Sequence, residues 1–164
     1  MPIVAEWLAW PSYDLVELAL IRLCINDREN AKKYLKNTDH LEGTSGYNVR
    51  ITWLLLSSAF VDQGDIVKLV DYMSPAYDFL TRMNAFDAAS QLGYVNYKVA
   101  DHAFSTLFQY NRKLRAKGRD LIKQMIANEE TKKPFQLWVN RNQKLLSIDQ
   151  LDLIERMTGL KPEG

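Results

Sequence analysis

Cysteine is almost missing from this chain: Cys24 is the only one, so no intrachain disulfide can form. Its setting in the apolar run LALIRLCI suits a small buried side chain better than a reactive thiol, and a reducing compartment is the expectation. Histidine is scarce as well. His40 falls in a polar stretch and His102 in a helical one, so imidazole and thiolate ligands never occur at zinc spacing. The glycine patterns that cradle phosphates, GxGxxG and GxxxxGK, are missing, and so is the nucleophile elbow GxSxG. Acids do recur, with Asp149, Asp152 and Glu155 at intervals of three and Asp62 and Asp65 flanking Gly64. Neither set makes a calcium loop, and acids at helix starts are explained by capping and the helix dipole. The expectation is a protein that is not an enzyme and needs no metal and no cofactor.

Long hydrophobic runs are lacking too. Uninterrupted apolar stretches such as Trp53 to Leu56 end far short of the ~20 residues that cross a bilayer. The opening MPIVAEWLAWPSYD carries no basic region of the kind that begins a secretion signal, so cytoplasmic residence without a membrane is expected. Glycine and proline, at 7 and 5 residues, leave few places for sharp turns and favour long elements over many short strands.

What the chain has is an ordinary globular composition: 164 residues, 47% hydrophobic and 25% charged, enough for one continuous core. Net charge is +1, but Lys and Arg outnumber Asp and Glu after residue 100 while the reverse holds before it. This mild asymmetry can steer a partner without marking a dedicated nucleic-acid binder.

Helical periodicity runs through most of the sequence. Ser12 to Ile25 carries a wide apolar face through Leu15, Ala19, Leu20 and Leu23, preceded by MPIVAEWLAW with Trp7 and Trp10. A short helix from Asp27 to about Lys36 follows, then a polar loop, NTDHLEGTSG. Gly46 to Val61 reads as a helix although ITWLLL alone could pass for a strand. Asp65 is a cap candidate for DIVKLVDYM, and Ser74 with Pro75 for a helix ending at Gly93. Asn96 caps a single long helix expected from Tyr97 to about Glu130, in which Gly118 costs roughly 1 kcal/mol but forbids nothing. Pro134 opens another helix to about Leu146, and the capping box SIDQ at Ser147 opens the last, ended by Gly159. The predicted fold is all-α: one domain over 1–164, a helical bundle of about six to eight helices with one long helix. Residues 134–164 form a peripheral or exchanged helical pair.

Three features are candidates for function. Arg112, Arg115, Arg119 and Lys123 follow one another at spacings of three, four and four, spanning about 80° of one helix face. Such a stripe suits an acidic protein surface or phosphates, against the plainer role of a solvated flank. Residues 85–104 resemble a helix-turn-helix, with Ala89, Gly93 and Val99 where that motif needs a small residue, positive φ and an apolar side chain. His102 departs from the pattern, and so does the expected length of the second helix. Trp138, beside Phe135 and Val139, is the aromatic expected to mark a partner surface, because its helix follows the polar run ANEETKK. The function expected is a non-catalytic helical protein-interaction module, a regulator or inhibitor of a larger complex, binding a protein partner or itself as a homo-oligomer. The alternative is a nucleic-acid-binding protein that uses the stripe from Arg112 to Lys123.

Overall fold

The computed structural model describes Leu18, Ala19, Arg22, Asn26, Asp27 and residues 43–56 and 62–163. Residues 28–36 of the expected helix over 27–36, Trp7, Trp10, Cys24, His40 and the Trp53 side chain lie outside the described residues. Of the expected helix over 12–25, Leu18, Ala19 and Arg22 are described as helical, with Ala19 fully buried.

Seven continuous helices and no strand occur among the described residues: α1 (Gly43–Leu56), α2 (Gln63–Tyr72), α3 (Phe79–Leu92), α4 (Tyr97–Leu107), α5 (Arg112–Ile126), α6 (Glu129–Asn142) and α7 (Ile148–Thr158). The protein is all-α, as the periodicity predicts. Its buried apolar side chains form one cluster drawn from all seven helices and from Ala19, with Phe86, Phe104 and Phe135 among the largest. No described helix is long and apolar enough to cross a membrane.

The single long helix expected from Tyr97 to about Glu130 is instead two helices. The chain leaves α4 at Phe108, and Asn111 starts α5 by accepting a hydrogen bond from the Leu114 N–H at 3.0 Å. No glycine or proline marks this break. The apolar residues of both halves stay in phase across it, which is why the sequence reads as continuous. A straight helix over that span would be about 50 Å long and could not bury both halves of its stripe against one small core. Folding back at Asn111 packs the two halves on each other, and α4 against α5 is the most extensive helix contact among the described residues. Gly118 makes the approach possible. A Cβ there would stand 2.8 Å from the Ala103 carbonyl oxygen and closer still to Thr106 Oγ1.

Other starts shift for similar reasons of local hydrogen bonding. Asp62, not Asp65, caps α2, and Asp65 closes the capping box by accepting from the Asp62 N–H at 3.1 Å. Ser74 and Pro75 lie in a turn, because Asp78 is the cap of α3 and takes both the N–H and the hydroxyl of Thr81. Pro134 does not open α6. Asn128 does, five residues ahead of the expected start, with Glu129 and Glu130 favourably placed at the positive end of the dipole. The proline leaves one carbonyl, that of the exposed Glu130, without its helical donor, where water can serve. The local signals at Gly93 and at Ser147 with Gln150 hold as expected: Gly93 takes φ +67°, and the Ser147 box caps α7.

Candidate interaction surface

Helix α6 lies across α4 and α5, and Trp138 is what fastens it. The indole stacks on Phe104 with ring centroids 4.3 Å apart, and its Nε1 donates to Asp101 at 2.7 Å. Only 4% of Trp138 is exposed, so it anchors the core and offers no indole face to a partner. The sequence placed it on a peripheral arm because α6 follows a polar run. The apolar residues Phe135, Trp138 and Val139 share one flank, however, and all three are buried.

The same packing decides how the helix-turn-helix resemblance fares. The turn is present, with Ala89 and Val99 fully buried and α4 ending after eleven residues. The face of α4 that would enter a groove is nevertheless engaged by α6. Asp101 accepts from Trp138, the Tyr97 hydroxyl accepts from Asn142 at 3.2 Å, and Arg141 lies over the Tyr97 ring at 5.1 Å. Of Asn96, Tyr97, Lys98 and Asp101, which begin that helix, only Lys98 is exposed.

At the opposite end of α4, a buried guanidinium ties three elements together. Arg82 Nε donates to the Met73 carbonyl, at the negative end of α2, and Nη1 donates to Gln109 Oε1 in the turn before α5, both at 3.0 Å. Burial lowers its pKa from the ordinary arginine value. His102 is buried as well. Its pKa is lowered first by burial and further by Lys98 and Arg82, against the opposing pull of Asp101 and Asp71. Neither Arg82 Nη2 nor His102 Nε2 has a hydrogen-bond partner among the described residues. Nearby, the Tyr77 hydroxyl donates to Asp71 at 2.9 Å within a cluster of rings from Tyr47, Tyr72 and Tyr77, and burial with that carboxylate pushes its pKa to about 12.

The predicted stripe lies on the outer side of α5. Leu114, Gly118, Leu121, Ile122 and Met125 face inward, while Arg112 and Lys123 are exposed and Arg115 and Arg119 half-buried. Arg115 turns back to donate to the Gln109 carbonyl, and Arg119 pairs at 3.1 Å with its neighbour Asp120. No acid from another described element meets any of the four. Lys117, on the adjacent flank, behaves differently: it is bound by Asp87 of α3 at 2.7 Å. The stripe is therefore an outward set of cations whose one ion pair among the described residues is local, Arg119 with its neighbour Asp120.

An apolar patch adjoins it that the sequence reading did not find. Phe108 and the fully exposed Tyr110 project from the α4–α5 turn, directly ahead of Arg112. Phe79 and Leu80 are exposed in the first turn of α3, which Arg82 links to that same turn through Gln109. Reading 97–130 as one helix hid the patch. The useful signal was Asn111, a capping residue inside an apolar period.

A second exposed face lies on α7. Asp149, Asp152 and Glu155 are all exposed and border a shallow groove with Arg156, and none pairs with a cation among the described residues. Leu145, in the turn that leads into it, and Ile148, the first residue of α7, are exposed, at 82% and 78%. No group of His, Cys, Asp and Glu side chains among the described residues is arranged to hold a metal ion. Comparison with protein-family models, curated proteins and solved structures finds no match to this chain.

Proposed function

We propose that the protein is a non-catalytic interaction module that binds a protein partner through the outer face of α5 and the aromatic turn ahead of it. One observation carries this reading: exposed Phe108 and Tyr110 run directly into a cationic helix face with no acid from another described element against it. Aromatic anchors beside arginines are the composition of an interface centre and its rim. A partner with an acidic surface around an apolar recess fits it, and such a module suits a regulator or inhibitor that occupies a larger assembly. The single cysteine agrees with a reducing, cytoplasmic setting.

A nucleic acid is the second reading for the same stripe. Asp120 within the exposed face weighs against it, as does the cover that α6 gives to α4. The test compares capture by the wild type with capture by a variant carrying Arg112→Glu, Arg119→Glu and Lys123→Glu. A polypeptide retained by the wild type and lost with the variant supports the module. Binding to a duplex or single-stranded oligonucleotide that weakens log-linearly with salt supports the alternative. Equal capture by both proteins rejects the stripe in either role.

A further inference from the structure

The α5 and α7 faces are built alike with opposite charge. Each has two exposed apolar side chains ahead of a charged helix face: Phe108 and Tyr110 in the turn before the α5 cations, Leu145 in the turn and Ile148 at the first position of α7 before its acids. Within one chain α5 and α7 touch, but their charged faces do not pair. Asp149, Asp152 and Glu155 pair with none of the α5 cations, and Arg112 and Lys123 reach no described acid.

Two of the cations are spaced much like the acids. Arg112 and Arg119 are seven residues apart, or about 10.5 Å along a helix, while Asp149 and Glu155 are six apart, or about 9 Å. Laid alongside with their starting ends together, the two helices bring apolar turn to apolar turn and cation to acid along their length. Charge alone would give little, since an exposed ion pair contributes about 0–1 kcal/mol. The four apolar side chains, whose exposure in the monomer has no use in the fold, supply the remaining contact.

We infer that the protein pairs with a second copy of itself, the α5 face of each chain seated on the α7 face of the other. This rests on the reading of α5 as an interaction surface and names its occupant. Two copies related by a twofold axis engage both faces of each at once, which leaves neither face open to a third copy.

The experiment is a charge swap read by light scattering on folded protein, with helical content checked by circular dichroism. One variant carries Arg112→Glu, Arg119→Glu and Lys123→Glu; the other carries Asp149→Lys, Asp152→Lys and Glu155→Lys. The wild type at about 100 μM and low salt should show twice the 19.0 kDa monomer mass. It should fall to the monomer at about 1 M salt, where charges are screened beyond about 3 Å. Each variant alone should be monomeric, and an equal mixture should restore the double mass, since the acidic α5 of one meets the basic α7 of the other. A wild type that stays monomeric at low salt, or two variants that do not associate on mixing, overturns the proposal. If the wild type is monomeric yet the α5 variant loses a different captured polypeptide, self-pairing falls while the interaction reading stands. If that capture is also unchanged, both fall.

Discussion

The two flanks of α5 obey different rules. On the flank against α4, fit is set to fractions of an ångström, with Gly118 admitting the Ala103 carbonyl and Thr106 where no side chain could stand. On the outer flank, Arg112, Arg119 and Lys123 meet no acid from another described element and fill no space in the core. The inner flank therefore specifies shape and the outer one only charge. Substitutions should divide the same way, stability responding to one side and association to the other.

The largest effect should come from filling the α4–α5 crossing. Gly118→Val is expected to cost about 3 kcal/mol in urea unfolding, because overpacking here meets backbone as well as Thr106. Gly118→Ala should still cost about 2 kcal/mol, even though alanine is the better helix former by about 1 kcal/mol. An alanine variant as stable as the wild type would show that the crossing is looser than its geometry.

Next comes the seam between α4 and α6. Trp138→Phe keeps much of the ring stacking on Phe104 but removes the donor to Asp101, and should cost about 2 kcal/mol. If Trp138 served a partner instead, the substitution would leave unfolding unchanged and weaken binding.

A smaller effect follows from His102. Burial depresses its pKa in the folded state, so the unfolded chain takes up a proton first as pH falls. The stability contributed by keeping it neutral is complete above the unfolded value of about 6.5 and is lost as pH drops through the folded value. His102→Gln, which cannot charge, should flatten the part of the pH–stability curve just below neutrality. A variant as acid-sensitive there as the wild type would place the titration elsewhere.

The smallest stability effect belongs to the outer flank. Arg112→Glu, Arg119→Glu and Lys123→Glu should each move the unfolding free energy by no more than about 0.5 kcal/mol. Arg115 is the exception within the stripe, since it also donates to the Gln109 carbonyl, so Arg115→Ala should loosen the turn slightly.

Which parts of this were legible in the sequence follows from how local each signal is. Gly93, Gly159 and the Ser147–Gln150 box act over three or four residues, and the structure keeps them. The break at Asn111 was hidden because the apolar stripe continues in phase through it, and only the need to bury both halves turns the chain back. Pro134 misled for a related reason. The rule that proline opens helices is weaker than the cap at Asn128 with two acids behind it, and a proline deeper in the helix is tolerable where the freed carbonyl belongs to an exposed residue. The positions of the stripe cations could be read from spacing alone, since 3.6-residue periodicity puts them on one face. That none of them meets an acid from another described helix could not, because that depends on which helices pack alongside. Lys117, two residues from Arg115, shows the point: Asp87 waits for it on α3. Trp138 failed in the opposite sense, because nothing near it in sequence announces Asp101 and Phe104 as its partners.

The most direct test measures stability and association on the same preparation of the Arg112→Glu, Arg119→Glu, Lys123→Glu protein. The prediction is a urea midpoint close to that of the wild type together with loss of association. A midpoint lowered as far as that of Gly118→Val, or association that survives intact, would contradict the division of α5 into a flank for folding and a flank for binding.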